Sequence, residues 1–134
     1  MKSRDMADYG FVHWVPFNRS NVRELLERTP EEPGVYVIRR ATPITRRSGE
    51  SDIVYIGSAA NERGLRTRLR HYFHPGPTQR TNQRILTLMG DSQDFEVSFA
   101  VLPVRSAARA LEGELLGRYE KEHDELPPEN HRRA

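Results

Sequence analysis

Two tyrosines, an arginine and a glutamate are the side chains of this chain best suited to chemistry. Tyr36 stands near the start of one apolar run, and Tyr55 stands near the end of the next. If the two runs pair as a β-hairpin, the two hydroxyls can converge on one site. Arg68 and Glu112 follow in helical segments further along the chain. A phenol, a fixed cation and a carboxylate together indicate chemistry on phosphodiesters.

Arg68 occupies an unusual position on its predicted helix. Leu65, Leu69 and Tyr72 form the apolar stripe of this helix, and Arg68 lies on the flank of the stripe, one turn before Tyr72. A guanidinium there is held near the sheet, where it can face charge that develops on phosphate oxygens. The alternative is an arginine whose alkyl stem covers apolar surface while its head stays in water.

Glu112 lies within the apolar stripe of the last predicted helix. Its helical neighbours include Ala108, Leu115 and Tyr119. A carboxylate in such surroundings needs a partner, which can be a cation, a metal ion or a hydrogen-bond donor. A salt bridge to an arginine of a neighbouring helix is the alternative to a functional role, and both interpretations stay open.

The elements that must position these side chains follow from periodicity and breakers. Alternation at period two predicts strands, and apolar spacing of three and four predicts helices. The predicted order is helix, strand, strand, helix, helix, strand, helix, which is an α/β fold with a small three-stranded, mainly antiparallel sheet flanked by helices. Helices are predicted over residues 21–28, 61–73, 81–89 and 106–123, and strands over residues 35–39, 52–56 and 95–101.

Length and composition narrow the class of protein. At 134 residues, one domain is expected: an N-terminal helical extension over residues 1–31, a main domain over 32–130 and a tail over 131–134. The chain has no cysteine, which excludes disulfides, thiolate zinc sites and a thiol nucleophile. The N-terminus lacks a signal-peptide pattern, and no apolar run approaches the roughly 18 residues of a membrane span. We expect a cytoplasmic protein.

Positive charge is concentrated in the middle of the chain. The formal net charge is only +2, yet residues 39–84 hold ten arginines against three acidic residues. Only two of the 21 basic residues are lysine. A high-GC genome would explain the preference for arginine but not the clustering, which favours contact with nucleic acid over a merely solvated face. The candidate DNA-binding residues are Arg39, Arg40, Arg46, Arg47, Arg63, Arg66 and Arg70.

Two other sequence patterns support neither a zinc site nor a phosphate-binding loop. His71 and His74 have the i, i+3 spacing of a metal pair, but Pro75 ends the helix there and no carboxylate is near in sequence, which argues against zinc. Residues 57–60 do not match a phosphate-binding glycine loop.

Taken together and in order, the motifs resemble the GIY-YIG nuclease family, including its excision-repair members, over about residues 32–130. The stretches that carry the resemblance are Pro33-Gly34-Val35-Tyr36, Tyr55-Ile56-Gly57, the run from Leu65 to Phe73, and Leu111-Glu112.

This resemblance implies a role for each matched residue. Tyr55 would activate water or act as general base, and Tyr36 would orient the site through its hydroxyl. Arg68 would stabilise the pentavalent phosphorus. Tyr72 would support the proton transfer.

The resemblance also implies a single divalent cation, Mg²⁺ or Mn²⁺, with Glu112 as its one carboxylate ligand and water as most of its remaining shell. The terminal asparagine of the family falls on Asn130, although it lies farther from Glu112 than usual. Two further departures are the long connection over residues 39–52, an additional candidate DNA contact, and Ser58, which stands where repair relatives often carry lysine.

The function that these expectations support is a metal-dependent endonuclease that hydrolyses DNA phosphodiesters. A noncatalytic nucleic-acid-binding module on the same fold is the first alternative, and a structural or partner-binding domain is the second. The residues do not distinguish DNA from RNA or one DNA structure from another. Because no separate recognition domain is visible, a site-specific enzyme would need a protein partner or a homo-oligomer.

Overall fold

The computed structural model describes residues 1–60, 63–90 and 93–130, and its centre is a four-stranded antiparallel sheet. The strands lie in the order β1-β4-β2-β3. Their bounds are Val15–Pro16 for β1, Gly34–Thr45 for β2, Glu50–Ser58 for β3 and Phe95–Val101 for β4.

The prediction of three strands is wrong by one. The additional strand, β1, pairs Val15 with Val97 at the free edge of β4. Two residues are too few to produce an alternating pattern in the sequence. Pro16 has no N–H to donate, and an edge strand is where a sheet accepts such a residue.

Four α-helices and two 3₁₀ helices of the described residues cover the sheet. Successive residues of a strand point to opposite faces, so Tyr36 and Ile38 belong to one apolar core, and Val35 and Val37 belong to the other. Helices α1, α2 and α3 pack on the Tyr36 face, and the first 3₁₀ helix and α4 pack on the opposite face. The bounds are Val22–Arg28 for α1, Leu65–Phe73 for α2, Arg80–Met89 for α3 and Arg105–His123 for α4, with 3₁₀ helices over Ser3–Tyr9 and Arg19–Asn21.

The segment before residue 32 contributes to both cores. Phe17 and Leu25 are buried on the Tyr36 face, and Met6 and Phe11 are buried on the face that α4 covers. Removal of this segment would therefore expose apolar surface on both sides of the sheet.

The long connection expected over residues 39–52 is mostly strand. β2 continues to Thr45 and β3 begins at Glu50, so the turn covers only residues 46–49. Pro43 lies in a stretch where the pairing of β2 with β3 shifts register, which is how a strand tolerates a proline. Gly49 has a φ of 72°, and the Arg46 N–H donates to its carbonyl at 2.9 Å. The breakers in this stretch therefore mark an irregularity and a tight turn rather than a loop.

The remaining elements agree with the sequence pattern. α3 and α4 each begin one residue before the predicted start, and β4 has the predicted bounds. The predicted start of α2 at Asn61 lies outside the described residues, and the described helix begins at Leu65. Leu65, Leu69 and Tyr72 are all buried, as the apolar stripe predicts. Among the described residues, no helix is long and apolar enough to cross a membrane.

Candidate active site

Tyr36 is the centre of the site because the sheet holds it on both sides. It lies opposite Gly57 of β3 and Phe99 of β4, and it has no exposed surface. Its ring lies against Gly57: a Cβ added at that glycine would lie 2.6 Å from the Tyr36 hydroxyl oxygen and 2.6 Å from Cε2 of Tyr55. The glycine that ends the Tyr55-Ile56-Gly57 motif therefore provides the space in which the two tyrosines meet.

Arg68 and Tyr72 reach Tyr36 from α2. The Tyr36 and Tyr72 hydroxyls share a hydrogen bond of 2.5 Å, and Nε of Arg68 donates to the Tyr36 hydroxyl at 3.3 Å. The guanidinium carbon of Arg68 lies 5.9 Å from the centre of the Tyr72 ring. These contacts give Arg68 a specific orientation, which a side chain that only covers apolar surface would lack. Tyr36, Arg68 and Tyr72 therefore lie in contact on one face of the sheet.

Tyr55 lies on the same face as Gly57, two residues away in regular register, and a β-bulge lies directly beside it. Ile38 lies opposite Tyr55, whereas the next residue, Arg39, lies opposite Ile53, so β3 carries one extra residue at this point. The Tyr55 and Tyr36 rings are 6.0 Å apart. Tyr36 and Tyr72 have no exposed surface, whereas Tyr55 is partly exposed. Of these three tyrosines, Tyr55 is the one that a substrate can reach.

The surroundings of the cluster keep the phenols of Tyr55 and Tyr72 neutral and the guanidinium of Arg68 charged. Burial raises the pKa of Tyr55, and proximity to Tyr36 raises it further. Burial also raises the pKa of Tyr72. The Tyr36 oxygen raises the pKa of Arg68 and outweighs the opposing effect of burial. At neutral pH Arg68 is therefore a permanent positive charge beside the protonated phenols of Tyr55 and Tyr72.

Glu112 approaches the end of β3 from the opposite face of the sheet. Ser58 lies opposite Val35 and donates its hydroxyl to Oε1 of Glu112 at 2.5 Å. Among the described residues, Glu112 makes no salt bridge, so the arginine partner considered as an alternative is absent there. Burial raises the pKa of Glu112, and the Ser58 hydrogen bond and the charge of Arg68 oppose that rise.

A divalent cation fits this carboxylate. Ser58 occupies one oxygen of Glu112, which leaves the second oxygen for a ligand. Within the described parts of the chain, no three His, Cys, Asp or Glu side chains lie close enough to hold a metal together. A cation held by Glu112 without such a cluster would keep most of its water, which is a coordination that Mg²⁺ accepts and Zn²⁺ sites rarely show.

Asn130 lies beside the site rather than in it. Its amide nitrogen donates to the Ile56 carbonyl at 2.9 Å, and its amide oxygen accepts from the Ile56 N–H at 2.9 Å. The Glu129 N–H also donates to the Val54 carbonyl at 3.1 Å. The segment that carries Asn130 thus pairs with the outer edge of β3 and fixes the strand on which Tyr55 lies.

Three of the seven candidate DNA-binding arginines have acidic partners within the fold. Arg39 pairs with Glu96 at 2.7 Å, and its guanidinium lies 4.0 Å from the centre of the Trp14 ring. Arg46 pairs with Glu125 at 2.9 Å and is only 11% exposed. These acidic partners are distant in sequence, so the charge cluster alone could not reveal them.

Arg66 is the third candidate with an acidic partner, and the other four make no salt bridge among the described residues. Arg66 pairs with Glu31 at 2.9 Å and donates to the Thr29 carbonyl at 3.0 Å. Arg40 donates to the Thr42 carbonyl of its own strand at 2.8 Å. The remaining three side chains are exposed and have no side-chain partner among the described residues: Arg47, Arg63 and Arg70.

Two residues of the site have roles that the sequence did not predict. Ser58 was identified only as a departure from the family pattern, yet it is the hydrogen-bond donor to Glu112. Phe17 packs edge-on against the Tyr72 ring with centroids 5.7 Å apart, and it comes from the segment expected to be an extension. Its position in an apolar run of the N-terminal segment was the only available signal.

Replacing Gly57 with alanine is expected to destabilise the protein by about 1–3 kcal/mol, because the new methyl group would overlap the fixed Tyr36 and Tyr55 rings. Urea denaturation would measure the change. Gly113→Ala is the matched control: nothing lies within 4 Å of its added Cβ, and in a helix interior this change should stabilise by roughly 0.5–1 kcal/mol. A Gly57→Ala variant as stable as the wild type would show that the tyrosines do not need this space.

Comparison with known proteins agrees with the geometry. No family model matches the chain. It is 33% identical to the UvrABC system protein C of Anaeromyxobacter dehalogenans over 100 residues, and 32% identical to that of Gloeobacter violaceus over 105 residues. These matches cover 75% and 78% of this chain, but the chain spans only 12% and 14% of the length of those two relatives.

Among solved structures, the GIY-YIG N-terminal endonuclease domain of UvrC from Thermotoga maritima, bound to its catalytic divalent cation, magnesium, superimposes with a TM-score of 0.53 at 25% identity. The match covers 84% of this chain and 98% of that domain. A point mutant of the same domain gives a TM-score of 0.55 at 24% identity, which supports the fold. The ordered motifs, the meeting of Tyr36, Tyr55, Arg68 and Tyr72 on one sheet face and these similarities together establish that the chain belongs to the GIY-YIG nuclease family.

Proposed function

We propose that this chain is a metal-dependent endonuclease that hydrolyses DNA phosphodiester bonds. The observation that carries the proposal is the arrangement around the end of β3, where a fixed arginine approaches from one face of the sheet and a half-buried carboxylate approaches from the other. A phosphate placed between them would meet a permanent positive charge on one side and a cation ligand on the other.

Arg68 supplies the charge that the transition state of phosphoryl transfer requires. Its Nε is occupied by the Tyr36 hydroxyl, which leaves the terminal nitrogens to bind phosphate oxygens. Tyr36 and Tyr72 are positioning residues in this scheme, because both are fully buried and their mutual hydrogen bond fixes the oxygen to which Arg68 is attached. Preorganisation of this kind reduces the barrier because no reorientation is needed during the reaction.

Tyr55 is the tyrosine that contacts the reacting groups. Because burial raises the pKa of its phenol, the hydroxyl stays protonated near neutral pH and acts as a hydrogen-bonding group that orients the attacking water. The role of general base that the family resemblance implies for Tyr55 would require its pKa to fall when the substrate and cation are bound.

Glu112 is the residue that would hold the cation, Mg²⁺ or Mn²⁺. When bound, such an ion neutralises charge on the phosphate and stabilises the departing oxygen. Ser58 keeps one carboxylate oxygen engaged, so the carboxylate presents the other oxygen in a constant direction. Asn130 acts at a distance by holding the β3 backbone at Ile56.

The substrate would be held by contacts to its backbone. Arg47, Arg63 and Arg70 are exposed and available for phosphate, and such contacts are sensitive to salt. They carry no sequence information, so selection of a particular DNA site would require contacts beyond these, and we propose a protein partner or a second copy of the chain as one source.

Cleavage assays on a panel of labelled DNAs test this function. Duplex, flap and four-way-junction substrates are incubated with the protein at low salt, in Mg²⁺ and in EDTA. The proposal requires cuts in at least one substrate that depend on Mg²⁺. Binding without cutting in Mg²⁺ or Mn²⁺ would instead support the noncatalytic nucleic-acid-binding module.

Ser58→Ala is expected to weaken Mg²⁺ binding by about 10- to 100-fold, because the Glu112 carboxylate loses the hydrogen bond that orients it. The Mg²⁺ concentration that gives half-maximal cleavage, and the Mg²⁺-induced rise in melting temperature, would both measure the change. Ser48→Ala is the control, since Ser48 is exposed in the β2–β3 turn, far along the strand from Ser58. Unchanged Mg²⁺ dependence in Ser58→Ala would show that Ser58 does not orient the ligand.

A further inference from the structure

One stretch of the chain carries only positive charge. Residues 63–90 contain six arginines and two histidines, with no aspartate or glutamate. This stretch forms α2 and α3, which pack on the same face of the sheet as the Tyr36 cluster. Arg68 belongs to the site already described, but the arginines of α3 have no part in it.

The outer face of α3 borders an open groove of about 790 Å³. Positions i, i+3, i+4, i+7 and i+8 of the helix line it, so one face of α3 forms a wall. The lining residues on the helix are Arg80, Gln83, Arg84, Thr87 and Leu88. Pro77 and Glu129 complete the lining.

The groove has an available positive charge. Arg80 is exposed, and its side chain has no hydrogen bond or salt bridge within the parts of the chain that the structure describes. Arg84 is 42% exposed and pairs with Glu129 at 3.2 Å. Since Glu129 is the one acidic residue in the lining, the groove retains a net positive charge.

The groove is also connected to the strand that carries the site. The Glu129 N–H donates to the carbonyl of Val54, the neighbour of Tyr55, and Asn130 pairs with Ile56. The wall of the groove opposite α3 is thus continuous with the edge of β3. A nucleic-acid strand leaving the reacting position along this edge would pass over α3.

We propose that the α3 groove binds the phosphate backbone of the DNA on one side of the cleaved position. This inference rests on the proposed function and adds a binding surface separate from the reacting groups. Arg80 contacts phosphate directly, and Arg84 reaches a second phosphate by exchanging its contact with Glu129. Leu88, which is 47% exposed, provides an apolar contact for a sugar. The occupant is nucleic acid rather than an acidic protein because the groove is open, carries a net positive charge and is continuous with the edge of the strand that carries Tyr55.

The test compares DNA affinity at several salt concentrations, with a fluorescently labelled duplex in EDTA so that no cleavage occurs. For Arg80→Gln we expect affinity to fall about 3- to 10-fold near 50 mM salt, and the slope of log K against log[salt] to fall by about one unit. Arg80→Gln combined with Arg84→Gln should lower the slope by about two units. The matched control is Arg4→Gln, an exposed arginine on the opposite side of the sheet, which should leave both quantities unchanged.

Neutral methylphosphonate linkages, introduced one at a time, locate the contact. The wild type should lose affinity at a few linkages to one side of the cut, and Arg80→Gln should no longer respond at one of them. Wild-type affinity and slope in both groove variants, with Mg²⁺-dependent cleavage intact, would overturn this inference alone and favour a protein occupant. Failure of the wild type to bind any DNA would overturn both this inference and the proposed function.

Discussion

Replacing Arg68 with alanine is expected to lower the single-turnover rate of DNA cleavage by about 10³-fold or more, the effect typical of losing an arginine that stabilises phosphoryl transfer. The loss is large because, among the described residues, Arg68 is the cation that contacts the tyrosine cluster, held by the Tyr36 hydroxyl and the Tyr72 ring. Rapid-quench measurements with protein in excess over labelled substrate would separate this rate from binding.

Two further variants test this prediction: Arg68→Lys is the conservative variant and Arg4→Ala is the control. Lysine keeps the charge but loses the planar group that bonds Tyr36 and phosphate at the same time, so an intermediate rate is expected. Arg4 is exposed on the other face of the sheet, and Arg4→Ala should cleave like the wild type. If Arg68→Ala changed only DNA affinity, with a wild-type rate at saturation, Arg68 would be a backbone-binding residue and not part of the chemistry.

Glu112→Gln is expected to abolish Mg²⁺-dependent cleavage while DNA affinity measured in EDTA stays within about twofold of the wild type. Loss of the carboxylate removes the proposed ligand of the cation, whose contribution of several kcal/mol corresponds to about 10²- to 10⁴-fold in rate. Glutamine keeps the size of the side chain and can still accept from Ser58. Glu114→Gln makes the same chemical change at an exposed position of α4 and should remain active.

The same variant gives a thermodynamic result that does not depend on activity. Burial raises the pKa of Glu112 above its ordinary value of 4.5, so the folded protein binds more protons than the unfolded chain between those two pKa values. The free energy of unfolding therefore falls as pH rises through this interval. At neutral pH the buried charge destabilises the folded protein to its full extent. Glu112→Gln should raise the melting temperature of the metal-free protein at pH 7 but not at pH values below 4.5.

Magnesium should reverse the order of stability of the two proteins, so that the wild type becomes more stable than Glu112→Gln. A cation at ten times its dissociation constant stabilises the folded wild type by about 1.4 kcal/mol, whereas Glu112→Gln should gain nothing. Equal stabilisation of both proteins by Mg²⁺ would mean that the ion binds elsewhere.

The sequence was sufficient for the parts of the fold that periodicity controls. The stripe of Leu65, Leu69 and Tyr72 predicted which face of α2 is buried, and the same geometry identified Arg68 as unusual before any contact was known. Glu112 was recognisable in the same way, as a charge among apolar neighbours. Both signals are local, because helical spacing determines which side chains share a face.

Other features depend on contacts between residues distant in the chain. Arg39 and Arg46 resemble DNA-binding residues until Glu96 and Glu125 are brought to them by folding. The pairing of Asn130 with Ile56 joins residues 74 positions apart. β1 forms only because the free edge of β4 is available to it. None of these contacts has a periodic or compositional signal.

The measurement that tests the central claim most directly is single-turnover cleavage of labelled DNA at low salt, with the wild type and Glu112→Gln purified identically and assayed across a Mg²⁺ titration. We predict Mg²⁺-dependent cuts by the wild type, none in EDTA, and none by Glu112→Gln although it still binds the DNA. Equal cleavage by both proteins, or no cleavage by wild-type protein that is saturated with DNA and Mg²⁺, would contradict the account.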